Sequence, residues 1–252
     1  MIKYFECGID FGDSNSYMAV PDCEQGFTVI ENRTDNLAFT PIAISFNRKG
    51  RMLVGLRAYN SLLEDSISGL LRWMGIKKEI VFSTTDIRKT PIELAAEILK
   101  RQRNDAEVFL GHAINSAIIT IPSSFKVAQC EDIIKAGNLA GFKYIGLIQK
   151  PVAVAIAFGA KPDSKDKHWM VYDYGGRSLD VAIISTTNNR LIVENSEGDN
   201  YFGGIDFDQL MYKKIIVKGL MNEGYVVDEL LDETTSSGRL RIHLMICLLL
   251  WK

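Results

Sequence analysis

The sequence predicts an α/β protein whose two halves open in the same way. Three observations carry that reading. A phrase made of an apolar run, an Asp, an aromatic, a Gly and a short polar turn occurs at residues 8–16 and again at residues 171–180. Runs of strand length and helix length alternate between about 117 and 158, the pattern of an α/β layer. A polar stretch over residues 160–167 then separates the halves, as an inter-domain connection would.

Residues 3–11 alternate into a strand, and apolar stretches near 15–20, 27–31 and 41–46 read as its antiparallel neighbours. A helix is predicted from Thr90, where Thr90 caps, Pro91 suits the first turn and Glu93 completes a capping box. Its apolar stripe is Ile92, Ala95, Ile98, Leu99, Ala106 and Phe109, and Gly111 ends it. A strand over 117–122, a helix over about 126–140 closed by Gly141, and a strand over 144–148 follow. This order implies a parallel pair in the sheet. In the next helix, over 151–158, Ala153, Ala155 and Ala157 permit a close approach to a neighbour. The second half repeats the plan with strands at about 168–173, 179–185 and 190–195, then a helix opened by Gly203 and Gly204 and reaching about Leu220.

The chain has 252 residues, 47% of them hydrophobic and 24% charged, which is enough to bury the cores of one or two domains. A net charge of -2 gives no electrostatic footprint for nucleic acid. No apolar run has the length of a membrane span and the N-terminus lacks a signal core, so a cytoplasmic protein with no membrane partner is expected. Cys7, Cys23, Cys130 and Cys247 form no Cys-x-x-Cys pair and read as reduced, structural residues; His112, His168 and His243 have no ligand-spaced partners, so zinc is not expected.

The repeated phrase has the composition of a hairpin built around an anion. Glycines let backbone N–H groups approach a phosphate, Ser hydroxyls add donors, and an Asp at the strand end can hold a hydrated magnesium ion. Neither copy is a Walker loop or a dinucleotide fingerprint. Either copy alone reads first as an ordinary hairpin with a tight Gly turn, and it is the repetition that favours an anion site. Two copies can face each other across one nucleotide.

In this order, the phrases resemble the ATPase domain of the seventy-kilodalton heat-shock chaperones (DnaK-like), most closely HscC-type members. Residues 8–16 look like that family's first phosphate loop, 171–180 its second, 198–208 the segment after it, and 117–125 and 148–159 a strand and the connecting helix. The resemblance implies an actin/hexokinase-like ATPase fold with ribonuclease-H-like duplicated halves: a first lobe over 1–160, an incomplete second lobe over 161–233 and a divergent tail over 234–252. It implies ATP/ADP and magnesium as cofactors, and a co-chaperone or client protein as partner. Mapped onto this chain, the catalytic carboxylates are Asp10, Asp173 and Asp180, with Asp10 and Asp173 on magnesium through water. The nucleotide contacts are Gly12, Asp13, Ser14, Asn15, Gly175, Gly176, Arg177, Ser178, Gly203 and Gly204.

Departures from the family pattern point to weak or lost hydrolysis. Leu71 stands where a catalytic lysine is expected, with Arg72 beside it, and Lys150 stands where a carboxylate precedes the helix proline. Asp13 replaces a hydroxyl residue and should repel a polyphosphate unless it faces a cation. Arg177 replaces a glycine; it either crowds the turn or offers phosphate its fork. The family's adenosine-gripping motif lies beyond this length, and the tail reads either as a product of truncation or as a partner-docking helix, with self-association of the chain expected. Two functions stay open: an ATP-binding chaperone ATPase domain, and a non-enzymatic pseudo-ATPase acting only through protein contacts.

Overall fold

The computed structural model describes residues 5–24, 26–61, 66–83, 85–163 and 167–224. The expected tail over 234–252, and with it Cys247 and His243, lies outside the described residues.

A mixed sheet organises the first half. The strand Cys7–Phe11 is its middle member, pairing in parallel with Ser116–Ile121 and antiparallel with Asn15–Asp22. Tyr144–Gln149 extends the parallel side, while Gly26–Val29 and the short Thr40–Pro41 both pair with Asn15–Asp22. Cys7, Ile9 and Phe11 alternate onto one buried face, as a strand period of two requires. Two helices cover that core. Pro91–Leu110 supplies Leu94, Ala95, Ile98, Leu99 and Ala106, and Val127–Leu139 supplies Ile133 and Ala136. The helix Pro91–Leu110 starts on the predicted capping box, with Thr90 Oγ1 accepting from Glu93 N–H at 3.2 Å and Glu93 accepting from Thr90 N–H at 2.8 Å, and it stops at Gly111 with φ 75°.

Two local expectations are corrected. The apolar stretches at 27–31 and 41–46 are not neighbours of the first strand: Gly26–Val29 and Thr40–Pro41 join the main sheet through Asn15–Asp22, but Ala43–Phe46 pairs with Met52–Val54 and Ile67–Ser68 in a separate three-stranded sheet. Phe109 is 60% exposed, because the inward stripe runs through Gln102, Asp105 and Ala106 to Leu110 and turns Phe109 outward.

The second half holds an antiparallel sheet, His168–Tyr174, Leu179–Thr187 and Arg190–Asp199. Its small core of Ala155, Ala160, Val171, Ala182 and Ile184 takes Ala155 from the helix Lys150–Ala157, so this helix joins the two sheets. The predicted helix to Leu220 is present as Gly204–Met211, a π-helical stretch Tyr212–Val217 and Lys218–Asn222. Cys7, Cys23 and Cys130 are free thiols, and burial pushes the Cys7 thiol up to about 12. Among the described residues, no helix is long and apolar enough to cross a membrane.

Candidate functional site

The two repeated phrases fold into hairpins with the same turn. The last paired residues are Phe11 opposite Ser16 in the first and Tyr174 opposite Leu179 in the second. Each turn is closed by the N–H of its first Gly: Gly12 donates to the Asn15 carbonyl at 3.2 Å and Gly175 to the Ser178 carbonyl at 2.8 Å. The turns then meet. A Cβ on Gly176 would run into the Ser14 side chain, with Ser14 Cβ 2.9 Å away, and one on Gly12 would lie 2.6 Å from the Asn15 carbonyl oxygen. Neither glycine has a positive φ, so what these positions require is space. Beneath the second turn, the helix Gly204–Met211 points its first N–H groups at it: Gly204 donates to the Gly175 carbonyl at 3.0 Å and Ile205 to the Gly176 carbonyl at 2.9 Å. Gly203 is pressed against the backbone of Arg177.

One side of this junction is cationic. Arg72 Nε meets Asp13 Oδ2 at 3.1 Å, its Nη2 donates to the Arg177 carbonyl at 3.4 Å, and its guanidinium lies 5.2 Å from the Tyr201 ring centroid. Asp13 therefore faces a cation. Arg177 donates to Ser68 Oγ at 2.6 Å, so its long side chain runs across to the first half. Burial and the neighbouring Arg72 pull the Arg177 pKa down, while Asp13 opposes the shift.

The other side is a carboxylate cluster around one lysine. Lys150 Nζ stands 2.8 Å from Asp173 Oδ2 and 3.7 Å from Asp10 Oδ2, and Asp180 adds to the field on it. Burial alone would lower the Lys150 pKa; the three carboxylates outweigh it and hold the ammonium above its ordinary value. Thr120 fixes Asp10, donating to its Oδ1 at 2.6 Å while accepting from Phe11 N–H at 3.2 Å. Asp180 is pushed up chiefly by burial, with Asp173 adding to the shift and Ser178 and Lys150 opposing it. Leu71, only 8% exposed, lines the same cavity of about 50 Å³ and brings no charge to it. A second cavity, of about 340 Å³, opens on the other side of the junction between Ser14, Asn15, Tyr59, Gly176, Arg177 and Gly204.

All the sequence-predicted site residues thus converge on one junction: Asp10, Asp173 and Asp180 around Lys150, the residues of both turns against each other, and Gly203 and Gly204 beneath. Sequence reasoning missed Thr120, Ser68 and Tyr201. Thr120 left a signal, as the one hydroxyl inside the run Ala117 to Ile121, and Tyr201 lies in the segment 198–208 that the resemblance marked. A polyphosphate fits the residues present. The buried side-chain atoms Ser14 Oγ and Arg177 Nε have no hydrogen-bond partner and sit where the turns meet, ready to donate to a phosphate, although the carboxylate oxygen Asp13 Oδ1 is buried and unpartnered beside them. Magnesium does not fit them. The Lys150 ammonium, 2.8 Å from Asp173 and 3.7 Å from Asp10, stands between the two carboxylates that would hold the hydrated ion.

A mixed α/β protein with two matched glycine hairpins meeting face to face is the class that this geometry defines. A family profile described as Hsp70 protein matches residues 76–241. The chain is similar to the Chaperone protein DnaK of Thermosipho africanus, with 35% identity over 210 residues, and to that of Thermotoga petrophila, with 36% identity; each alignment covers 82% of this chain and 35% of the relative. The DnaK of Mycoplasmopsis agalactiae is 33% identical over 230 residues, covering 90% of this chain and 37% of the relative. The chain belongs to the Hsp70 family. It spans about a third of the length of the curated relatives it matches.

Proposed function

We propose that this chain binds a nucleoside polyphosphate, ATP or ADP, with the phosphates where the two turns meet and the nucleoside in the larger cavity. The observation that carries the reading is the direct meeting of two hairpins with the same closing bond, Gly176 against Ser14, in a member of the Hsp70 family. The helix Gly204–Met211 adds the positive end of its dipole behind the second turn, and Arg72 offsets the charge of Asp13. The overall plan is the actin-like ATPase fold, with a first lobe to residue 160 and a second from 161. Chaperone partners, a co-chaperone or a client, follow from the family membership.

Hydrolysis is near background in this reading. Leu71 brings no cation to the smaller cavity, and losing one preorganised charge at a transferring phosphate costs about 3–4 kcal/mol of barrier. Calorimetric titration with ATP tests the binding site. The chain should bind, and Gly176→Val should lose at least about tenfold in affinity, because the added side chain drives the second turn off Ser14. Equal affinity in the two proteins would move the site elsewhere.

A further inference from the structure

The cluster around Lys150 suggests how the phosphate site handles charge. Three carboxylates, Asp10, Asp173 and Asp180, come from three strands in two different sheets and would repel one another and any incoming phosphate. Among the described residues lining the smaller cavity, Lys150 is the one cation. Lys150 is the first residue of its helix and Pro151 follows it, so the backbone that carries the ammonium is fixed at a strand-to-helix junction. Its side chain is 30% exposed, and its Nζ contacts one carboxylate from each half of the molecule.

We propose that the Lys150 ammonium is a built-in substitute for a divalent cation, so that this chain takes up nucleotide phosphate without magnesium. The proposal rests on the nucleotide reading above. Two features support it. The ammonium occupies the space between Asp10 and Asp173, where a hydrated ion would have to stand. The ammonium offsets one of the three carboxylate charges, so a phosphate meets less repulsion there than the carboxylates alone would give. A point charge on a flexible stem can also swing from Asp10 toward a phosphate oxygen without changing the protonation of any group.

The test is a pair of titrations on the whole chain and on Lys150→Gln and Lys150→Arg, with circular dichroism confirming that each variant is folded. In the first, ADP is titrated in excess EDTA and again in excess magnesium. The parent and Lys150→Arg should bind with affinities within about twofold of each other in the two buffers, whereas Lys150→Gln should bind at least about tenfold more tightly with magnesium. In the second, manganese is titrated into the nucleotide-free proteins and followed by electron paramagnetic resonance. Only Lys150→Gln should acquire a site. A parent that needs magnesium for ADP, or that binds manganese as Lys150→Gln does, overturns the substitution while leaving the nucleotide site standing. A parent that binds ADP in neither buffer overturns the nucleotide reading and this proposal with it.

Discussion

The two hairpins are built alike but supported differently. The first rises from the middle of a six-stranded sheet, where Ile9 and Phe11 are fully buried beneath two helices. The second rises from the edge strand of a three-stranded sheet whose outer face is open: Met170 and Tyr172 are 71% and 62% exposed, and the buried core behind it is only Ala155, Ala160, Val171, Ala182 and Ile184. Equal turns on unequal foundations imply that the second turn owes its position to what touches it from outside its own sheet. Those contacts are Ser14, Ser68 and Arg72 from the first half, the helix Gly204–Met211, and Lys150 on the helix that both halves share.

The largest expected difference between the halves is in core truncation. Ile9→Ala should lower unfolding stability by about 3–4 kcal/mol, since the surrounding sheet and helices cannot close the cavity. Ile184→Ala should cost about 2 kcal/mol, the lower end of such changes, because the thin second core can collapse around it. Urea denaturation of the two variants measures both; equal losses would mean that the second sheet is as firmly packed as the first.

Next comes the pair that links the halves chemically. Leu71→Lys together with Lys150→Glu should raise phosphate release from ATP by about 100-fold over the parent, and by more than the two single changes combined, since one restores a cation and the other a carboxylate in the same small cavity. Independent, multiplicative effects would show that the two positions do not share a site. A steady-state phosphate assay with magnesium present reads this directly.

Arg72 sharpens the comparison further, because it touches both turns. Arg72→Ala should weaken nucleotide binding by about tenfold, leaving Asp13 buried beside the phosphates without its cation, and Asp13→Asn in the same chain should recover most of the loss. Failure of the second change to rescue the first would assign Arg72 a packing role against Tyr201 instead.

The smallest effect belongs to the first half alone. Glu93, whose carboxylate accepts the Thr90 N–H, is held below its ordinary pKa by that bond and by Lys89, so its contribution is present above about pH 4.5 and fades as pH falls through the lower folded value. Glu93→Ala should cost about 1 kcal/mol at pH 7, and the gap between parent and variant should shrink in acid. Thermal melts at neutral and acid pH follow it.

Much of this architecture was legible because it rests on local rules. The helix Pro91–Leu110 is written in Thr90, Pro91, Glu93 and Gly111, and the strand Ser116–Ile121 in a mostly apolar run. The repeated Asp and Gly phrases marked the junction, since a turn needs those residue types whichever sheet carries it. Where the side chains of that junction point was not legible. Lys150 reads as a reversed charge along the sequence; only the folded chain shows it between Asp10 and Asp173. Asp13 reads as a repulsive substitution until Arg72, 59 positions away, is seen beside it. Ala43–Phe46 had the right composition for the main sheet, but composition carries no information on which partner a strand chooses.

The central claim is that both turns close on one phosphate group, and hydrogen–deuterium exchange with and without saturating ADP tests it most directly. The account predicts that peptides covering residues 12–15 and 175–178 gain protection together, the second by the larger factor because its own sheet holds it less firmly. Protection confined to one turn, or to neither, would contradict it.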